Sequence, residues 1–418
     1  MNGRFSLRRV SNFSFSSNGK NLCGAFLSGS APFLFAIYHL PFFDYHLSVR
    51  ILQISSARTF SGGEQYFIDL CRGLNERGHE IFVALRPTND WQARLDFLPP
   101  ENILHVSLRN SYGVLSATRI AEFVRENNIE IVHAHAARDY IPASLACRIA
   151  KNARFVLTHH VVSPLKPFHR FALTNVSKSI AVSNHVEANL RKIFPKDKIV
   201  FVANGIDVES RAASDREKLR QEFRFEHDIP FDAFLIGIVA ELKLLKGQRD
   251  FILAANIVAQ KFADARFVLV GKDNTARKDF RRELKRLVKI FRIEERFLWL
   301  DRVEESAPLL AALDVFVSAS HTENFRLAIL EAMASGCAIV TTETRGARET
   351  LDETMAKFVP VKEPVQLAVA IGEFLTDEKM REDFGVNAQA KAKEKFDSGK
   401  MIIETEKVYQ EISARKNL

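Results

Sequence analysis

Along most of the chain, short apolar runs alternate with longer stretches whose apolar positions recur at helical spacing. VRILQIS (Val49 to Ser55) is the first such run and predicts a buried strand. Gly62 and Gly63 follow, then a stretch in which Phe67, Leu70 and Leu74 share a helical face and Gly78 supplies a stop. IFVAL (Ile81 to Leu85) is the next strand, so strand, glycine turn, helix and strand make a βαβ unit, whose crossover implies a parallel sheet. The pattern continues with a helix over 117–126, a strand over Ile129 to His135, a helix over 141–150, and strands at Phe155 to His160, Ser179 to Ser183 and Ile199 to Gly205.

A charged stretch, Glu209 to Asp228, leads through a helix into a second series. Its strands are predicted at 234–241, 266–271, 297–300, 315–319 and 338–342, with helices at 250–262, 279–291 and 307–313 and a helical run from Phe325 to Met333 that stops at Gly336. From about Pro364 onward the chain reads as helical and charged. The expected organisation is an extension over 1–48, a Rossmann-like domain over 49–207, a linker over 208–230, a second Rossmann-like domain over 231–394, and a terminal helix over 395–418 able to pack back on the first domain. Ligands are expected at the carboxyl ends of the strands, in the cleft between the domains.

The extension is rich in Ser, Asn and Gly and carries the aromatic run APFLFAIYHLPFF. That run is broken by His39 and Pro41 and is too short for a membrane span of about 20 residues, so it reads as a disordered tail, or as sequence upstream of the true start, rather than as a membrane-touching segment. The 418 residues suit two domains, and 47% hydrophobic with 26% charged residues is a globular composition. Cys23, Cys71, Cys147 and Cys337 have no short pairing, which argues against a zinc site or a disulfide framework and for a reducing, cytoplasmic setting. The net charge of +8 is concentrated before residue 208. An anionic substrate or peripheral contact with a membrane surface would use it; nucleic acid is disfavoured, because no binding motif accompanies the charge.

Candidate chemistry gathers in ASHTENFRLAILEAMASG (Ala319 to Gly336). Glu323 and Glu331 stand eight residues apart, roughly 12 Å along a helix axis, about the span of a sugar joined to a ribose through phosphates. A helix entrance near Asn324, Phe325, Arg326 and Leu327 would offer free N–H groups to a phosphate. Alone, two glutamates on an amphipathic helix fit a solvated face equally well. No Asp-x-Asp occurs to hold a metal against a diphosphate. In HAH, His133 and His135 lie two apart near a strand end and share a face.

Together these motifs, over about Val49 to Ile412, resemble the GT-B glycosyltransferases, in particular the retaining glycosyltransferase family 4. The resemblance implies two Rossmann-like domains facing each other across a cleft. It also implies a metal-independent enzyme with no cofactor, moving a sugar from a nucleotide-sugar donor to a glycan, lipid-linked or cell-envelope acceptor. It casts His135 as the cleft histidine and Glu323 as the group on the sugar hydroxyls, both catalytic. Glu331 falls to the ribose, and Gly62, Gly63, Lys246 and the turn Glu323 to Leu327 to the donor phosphates. Asn204, Gly205 and Asp207 resemble the family's interdomain turn. ELKLLKG departs from the family pattern at Glu241, where an arginine is expected, and Arg326 stands in place of a glycine. Two other readings stay open: a degenerate nucleotide-sugar binder, favoured by Glu241, and a sugar-nucleotide epimerase on the same fold.

Overall fold

Strands form where the apolar runs predict them, and two short ones appear beyond the prediction. The computed structural model describes residues 48–108, 113–161, 164–209, 215–275, 277–322 and 327–414. The extension therefore lies almost wholly outside the described residues, as do Glu323, Asn324, Phe325 and Arg326.

In the first lobe, β1 (Arg50–Ser55), β2 (Glu80–Leu85), β3 (Ile103–His105), β4 (Ile131–Ala134), β5 (Arg154–His159), β6 (Val176–Ala181) and β7 (Ile199–Phe201) form one parallel sheet in the order β3-β2-β1-β4-β5-β6-β7. The helices are α1 (Gly62–Glu76), α2 (Val114–Glu126), α3 (Tyr140–Ala150), α4 (His169–Ala172) and α5 (Asn184–Leu190). Both sheet faces are covered, which is why β1 reads as a continuous apolar run rather than an alternating one. Leu52 and Ile54 join a core with Ala117 and Ile120 of α2 and Ala143 of α3. Ile51 joins a different core, with Phe67 and Leu70 of α1.

The second lobe repeats the plan. Its strands β8 (Leu235–Val239), β9 (Arg266–Val270), β10 (Phe297–Leu300), β11 (Val315–Ser318), β12 (Ala338–Thr342) and β13 (Ala356–Val359) are parallel, in the order β10-β9-β8-β11-β12-β13. The helices run from α6 (Arg216–Glu226), α7 (Gln248–Lys261), α8 (Asp279–Ile290) and α9 (Ser306–Ala312) to α10 (Leu327–Ala334) and α11 (Arg345–Thr350). The chain ends with α12 (Pro364–Thr376), α13 (Glu378–Lys395) and α14 (Ser398–Ala414). β3 and β13, which the sequence reading passed over, are short edge strands. ILH and AKFV each put a charged or titratable side chain among too few apolar ones to show a period.

The chain passes between the lobes twice, at one place. Outbound, Ile206 bridges in parallel to Asp397 on the return, with the Ile206 N–H donating to Phe396 O (2.9 Å) and the Ser398 N–H to Ile206 O (2.8 Å). Gly205 permits this approach, since a Cβ there would sit 2.7 Å from Ser398 Cα. After the return, α14 lies on the first lobe: Glu406 accepts from Arg77 Nε (2.7 Å) and pairs with His79 Nε2 (2.9 Å), and Lys178 pairs with Glu411 (2.8 Å). Among the described residues no helix is long and apolar enough to cross a membrane.

Candidate active site

Each sheet reverses strand order beside its first strand, between β1 and β4 in one lobe and β8 and β11 in the other. A crevice opens at the carboxyl ends of the strands at such a switch point. The sequence-predicted residues that the structure describes fall at these two places.

In the first lobe, His135 follows β4 directly and is 7% exposed, more enclosed than a cleft histidine is expected to be. Its Nε2 lies 2.8 Å from Gln53 Oε1, while its Nδ1 is buried with no hydrogen-bond partner among the described residues. Gln53 Nε2 donates to Tyr409 Oη (3.1 Å), and Tyr409 Oη lies 2.6 Å from His133 Nδ1. His133 Nε2 in turn lies 2.7 Å from Thr158 Oγ1. The Phe67 ring meets the His135 ring edge-on, and His160 stacks on it at 5.8 Å between centroids. This enclosure desolvates the imidazoles and keeps them neutral: burial, then neighbouring histidine, pushes His133 down to about 3, burial and His159 push His160 down to about 3, and His135 lies well below its ordinary value. Asp139, at the start of α3, accepts the Ser56 N–H (2.9 Å) and so ties α3 to the end of β1; burial raises its carboxyl to about 7. Gly62 and Gly63 open α1, and a Cβ at Gly63 would meet nothing within 4 Å.

In the second lobe, the Lys243–Gly247 turn after β8 docks on the segment after β11. The His321 N–H donates to Leu245 O (2.8 Å), and His321 Nε2–H donates to Asp250 Oδ2 (2.7 Å). Gly247 has φ +68°, and a Cβ there would lie 1.8 Å from Ala319 O, so glycine is required on both counts. This contact brings half-buried Lys246 to the segment that leads toward Glu323. Leu327 opens the described part of α10, and Glu331 lies within it with Oε1 accepting from Ser306 Oγ (2.9 Å). Glu241 is not a lone repelling charge: it pairs with Lys243 Nζ (2.6 Å) and accepts from Asn274 Nδ2 (2.9 Å). Across the lobes, Arg345 Nη1 donates to His185 Nδ1 (2.5 Å).

Two family models match this chain: Glycosyltransferase Family 4 over residues 60–210, and Glycosyl transferases group 1 over residues 233–377. The chain is a GT-B glycosyltransferase of family 4, group 1 type. N-acetyl-alpha-D-glucosaminyl L-malate synthase of Bacillus anthracis is 27% identical over 368 residues, 82% of this chain and 92% of that protein. Phosphatidyl-myo-inositol mannosyltransferase of Mycolicibacterium smegmatis is 23% identical over 84% of this chain and 90% of that one. A glycosyltransferase from Rickettsia africae shares the fold at a TM-score of 0.76 and 22% identity, covering 88% of this chain and 99% of that one.

Within this glycosyltransferase, sequence reading missed Gln53, Asp139, Ser306 and Tyr409. Gln53 had a signal, as the one amide in an otherwise apolar strand. Asp139 had a weaker one, as a carboxylate opening a helix four residues after His135. Tyr409 had none, since only the second crossing between lobes brings it beneath β1 and β4.

Proposed function

We propose that this glycosyltransferase breaks the anomeric C–O bond of a nucleoside-diphosphate sugar and joins the sugar, with retention and without a metal, to a hydroxyl of a glycan or lipid-linked acceptor. The hydroxyl proton leaves with the diphosphate. The observation that carries the reading is the docking of the Lys246 turn on the segment after β11, at the switch point of the second sheet. One ammonium and the backbone that leads into α10 would there neutralise the departing diphosphate, the chief electrostatic task of the step. Glu331 would accept from the ribose and Glu323 from the sugar, while His135 and the Gly62–Gly63 turn would face the transferred group and the acceptor from the other lobe. Retention and metal independence rest on the resemblance.

A lipid-linked acceptor is supported by exposed Lys166, Phe168, Arg170 and Phe171 on the first lobe, basic and aromatic side chains in one segment. Flotation with vesicles containing anionic lipid tests that part.

UDP-glucose, UDP-N-acetylglucosamine and GDP-mannose screened by thermal shift test the donor, since a ligand at about 100 times its dissociation constant stabilises by ~2.7 kcal/mol. Nucleoside diphosphate release that depends on added acceptor is the expected result. Binding without release under any acceptor would leave a degenerate binder, and release of the diphosphate only transiently would favour an epimerase.

A further inference from the structure

We propose that Gln53 and Tyr409 are positioning residues that fix the tautomer of His135, making the last helix of the chain part of the first lobe's catalytic apparatus. The proposal rests on the reading that His135 serves the transfer.

The distances form one unbroken chain of hydrogen bonds: His135 Nε2 to Gln53 Oε1 (2.8 Å), Gln53 Nε2 to Tyr409 Oη (3.1 Å), Tyr409 Oη to His133 Nδ1 (2.6 Å) and His133 Nε2 to Thr158 Oγ1 (2.7 Å). Each histidine here is neutral, so each has one N–H and one lone pair. An amide oxygen only accepts, so His135 carries its proton on Nε2. Gln53 then donates to the tyrosine oxygen, the tyrosine O–H donates to His133 Nδ1, and His133 donates from Nε2 to Thr158. In this sense each bond of the chain has one donor and one acceptor.

The consequence is at the far end. His135 Nδ1 is left as a bare lone pair, buried and without a hydrogen-bond partner among the described residues, at the carboxyl edge of β4 beside the switch point. It is an acceptor for a hydroxyl and cannot serve as a donor. The opposite sense, with Thr158 donating to His133 and the amide of Gln53 turned over, would put the proton on His135 Nδ1 and reverse that preference. Two side chains decide between the senses. Gln53 comes from β1, and Tyr409 comes from α14, 356 residues later in sequence. The helix that returns from the second lobe thereby sets which partner the first lobe's histidine accepts.

Long-range proton–nitrogen correlation spectra of the full chain labelled at histidine nitrogen read the tautomer directly. Wild-type protein is expected to show His135 protonated at Nε2 and bare at Nδ1. Tyr409→Phe keeps the ring and removes only the oxygen; it should give a mixture of His135 tautomers, and with it a fall in kcat of at least about tenfold with KM little changed. The substrate for that measurement is whichever of UDP-glucose, UDP-N-acetylglucosamine and GDP-mannose gives the largest thermal shift. Gln53→Leu should do the same. A wild-type proton on Nδ1, or a tautomer indifferent to Tyr409→Phe in a variant of unchanged melting temperature, overturns the proposal. A tautomer that scrambles while kcat stays put also overturns it. The underlying reading fails separately, if His135→Ala is fully active.

Discussion

At the switch point of the first sheet the histidines are buried and uncharged, whereas at the corresponding point of the second the charged side chains are exposed or half-buried and paired. His133, His135 and His160 sit in an aromatic enclosure with Tyr66 and Phe67, held neutral by desolvation. Glu241, Lys243, Asp250 and His321 instead form pairs that solvent reaches. The same strand order carries both, so topology decides where a site forms and side chains decide what it does. A neutral, rigid hydrogen-bonding surface suits sugar hydroxyls. A solvent-exposed surface of paired charges suits a diphosphate, whose charge must be met on arrival and released with the product.

Acid breaks this contrast most sharply. A histidine whose folded value lies below its ordinary 6.5 binds its proton only in the unfolded chain, so its contribution is complete above pH 6.5 and is lost as pH falls toward about 3. Each such group weakens the fold by roughly 1 kcal/mol per pH unit in that window. Asp139 works in the opposite sense: raised to about 7, it costs stability as pH climbs from about 4 through 7. The first lobe should therefore lose several kcal/mol between pH 6 and pH 4. Trp91 lies in that lobe and Trp299 in the other, so Trp299→Phe protein reports the first lobe by fluorescence. Equal acid sensitivity of Trp91 and Trp299 emission would remove the distinction between lobes. Asp139→Asn, which keeps an acceptor for the Ser56 N–H, should raise the melting temperature most above pH 7 and by less at pH 5.

Removing the histidines one at a time sharpens the comparison. His135→Ala should lower turnover at least ~100-fold with the fold intact. His133→Ala should chiefly lower stability, because it strips partners from buried Tyr409 and Thr158. Loss of activity in His133→Ala at unchanged melting temperature would exchange their roles.

The sequence carried the sheets well, because parallel strands covered on both faces are continuous apolar runs such as those at β1, β9 and β12. Edge strands β3 and β13 lacked that signal. Features set by local sequence were also visible: Gly62 and Gly63 open a helix after β1, and His135 stands at a strand end. Groups joined only by tertiary structure were not. Ser306 reaches Glu331 across 25 positions, and Tyr409 reaches His133 across 276. No periodicity links such pairs. Glu241 was legible as a departure from the family pattern, whereas the 2.6 Å pairing that meets its charge, with Lys243 two residues on, is a fact of the fold.

In the second lobe, Glu331→Ala should weaken nucleotide binding by ~1.5 to 3 kcal/mol, since a ribose would lose a charged acceptor already aimed by Ser306. Ser306→Ala should produce a smaller loss of the same kind. Calorimetry with UDP reads both, and a silent Glu331→Ala would remove the ribose assignment.

The smallest effect is expected at Glu241. A free carboxylate beside a diphosphate would oppose it by about 3 to 4 kcal/mol at an effective dielectric near 20, but Glu241 is solvated and its charge is largely met by Lys243 at 2.6 Å. An exposed pair of this kind is worth under about 1 kcal/mol. Glu241→Gln would release Lys243 toward the phosphates and should tighten UDP binding by a few tenths of a kcal/mol up to about 1 kcal/mol. Glu241→Arg should gain little more, because the new guanidinium and Lys243 would repel each other. Both gains should shrink as salt rises, since the charges involved are exposed. Lys243→Ala is the deciding partner variant: it uncovers the carboxylate and should weaken UDP binding, and adding Glu241→Gln should restore it. If Glu241→Gln instead abolishes binding, the carboxylate contacts the donor itself, and Lys246 with the α10 segment must hold the diphosphate alone.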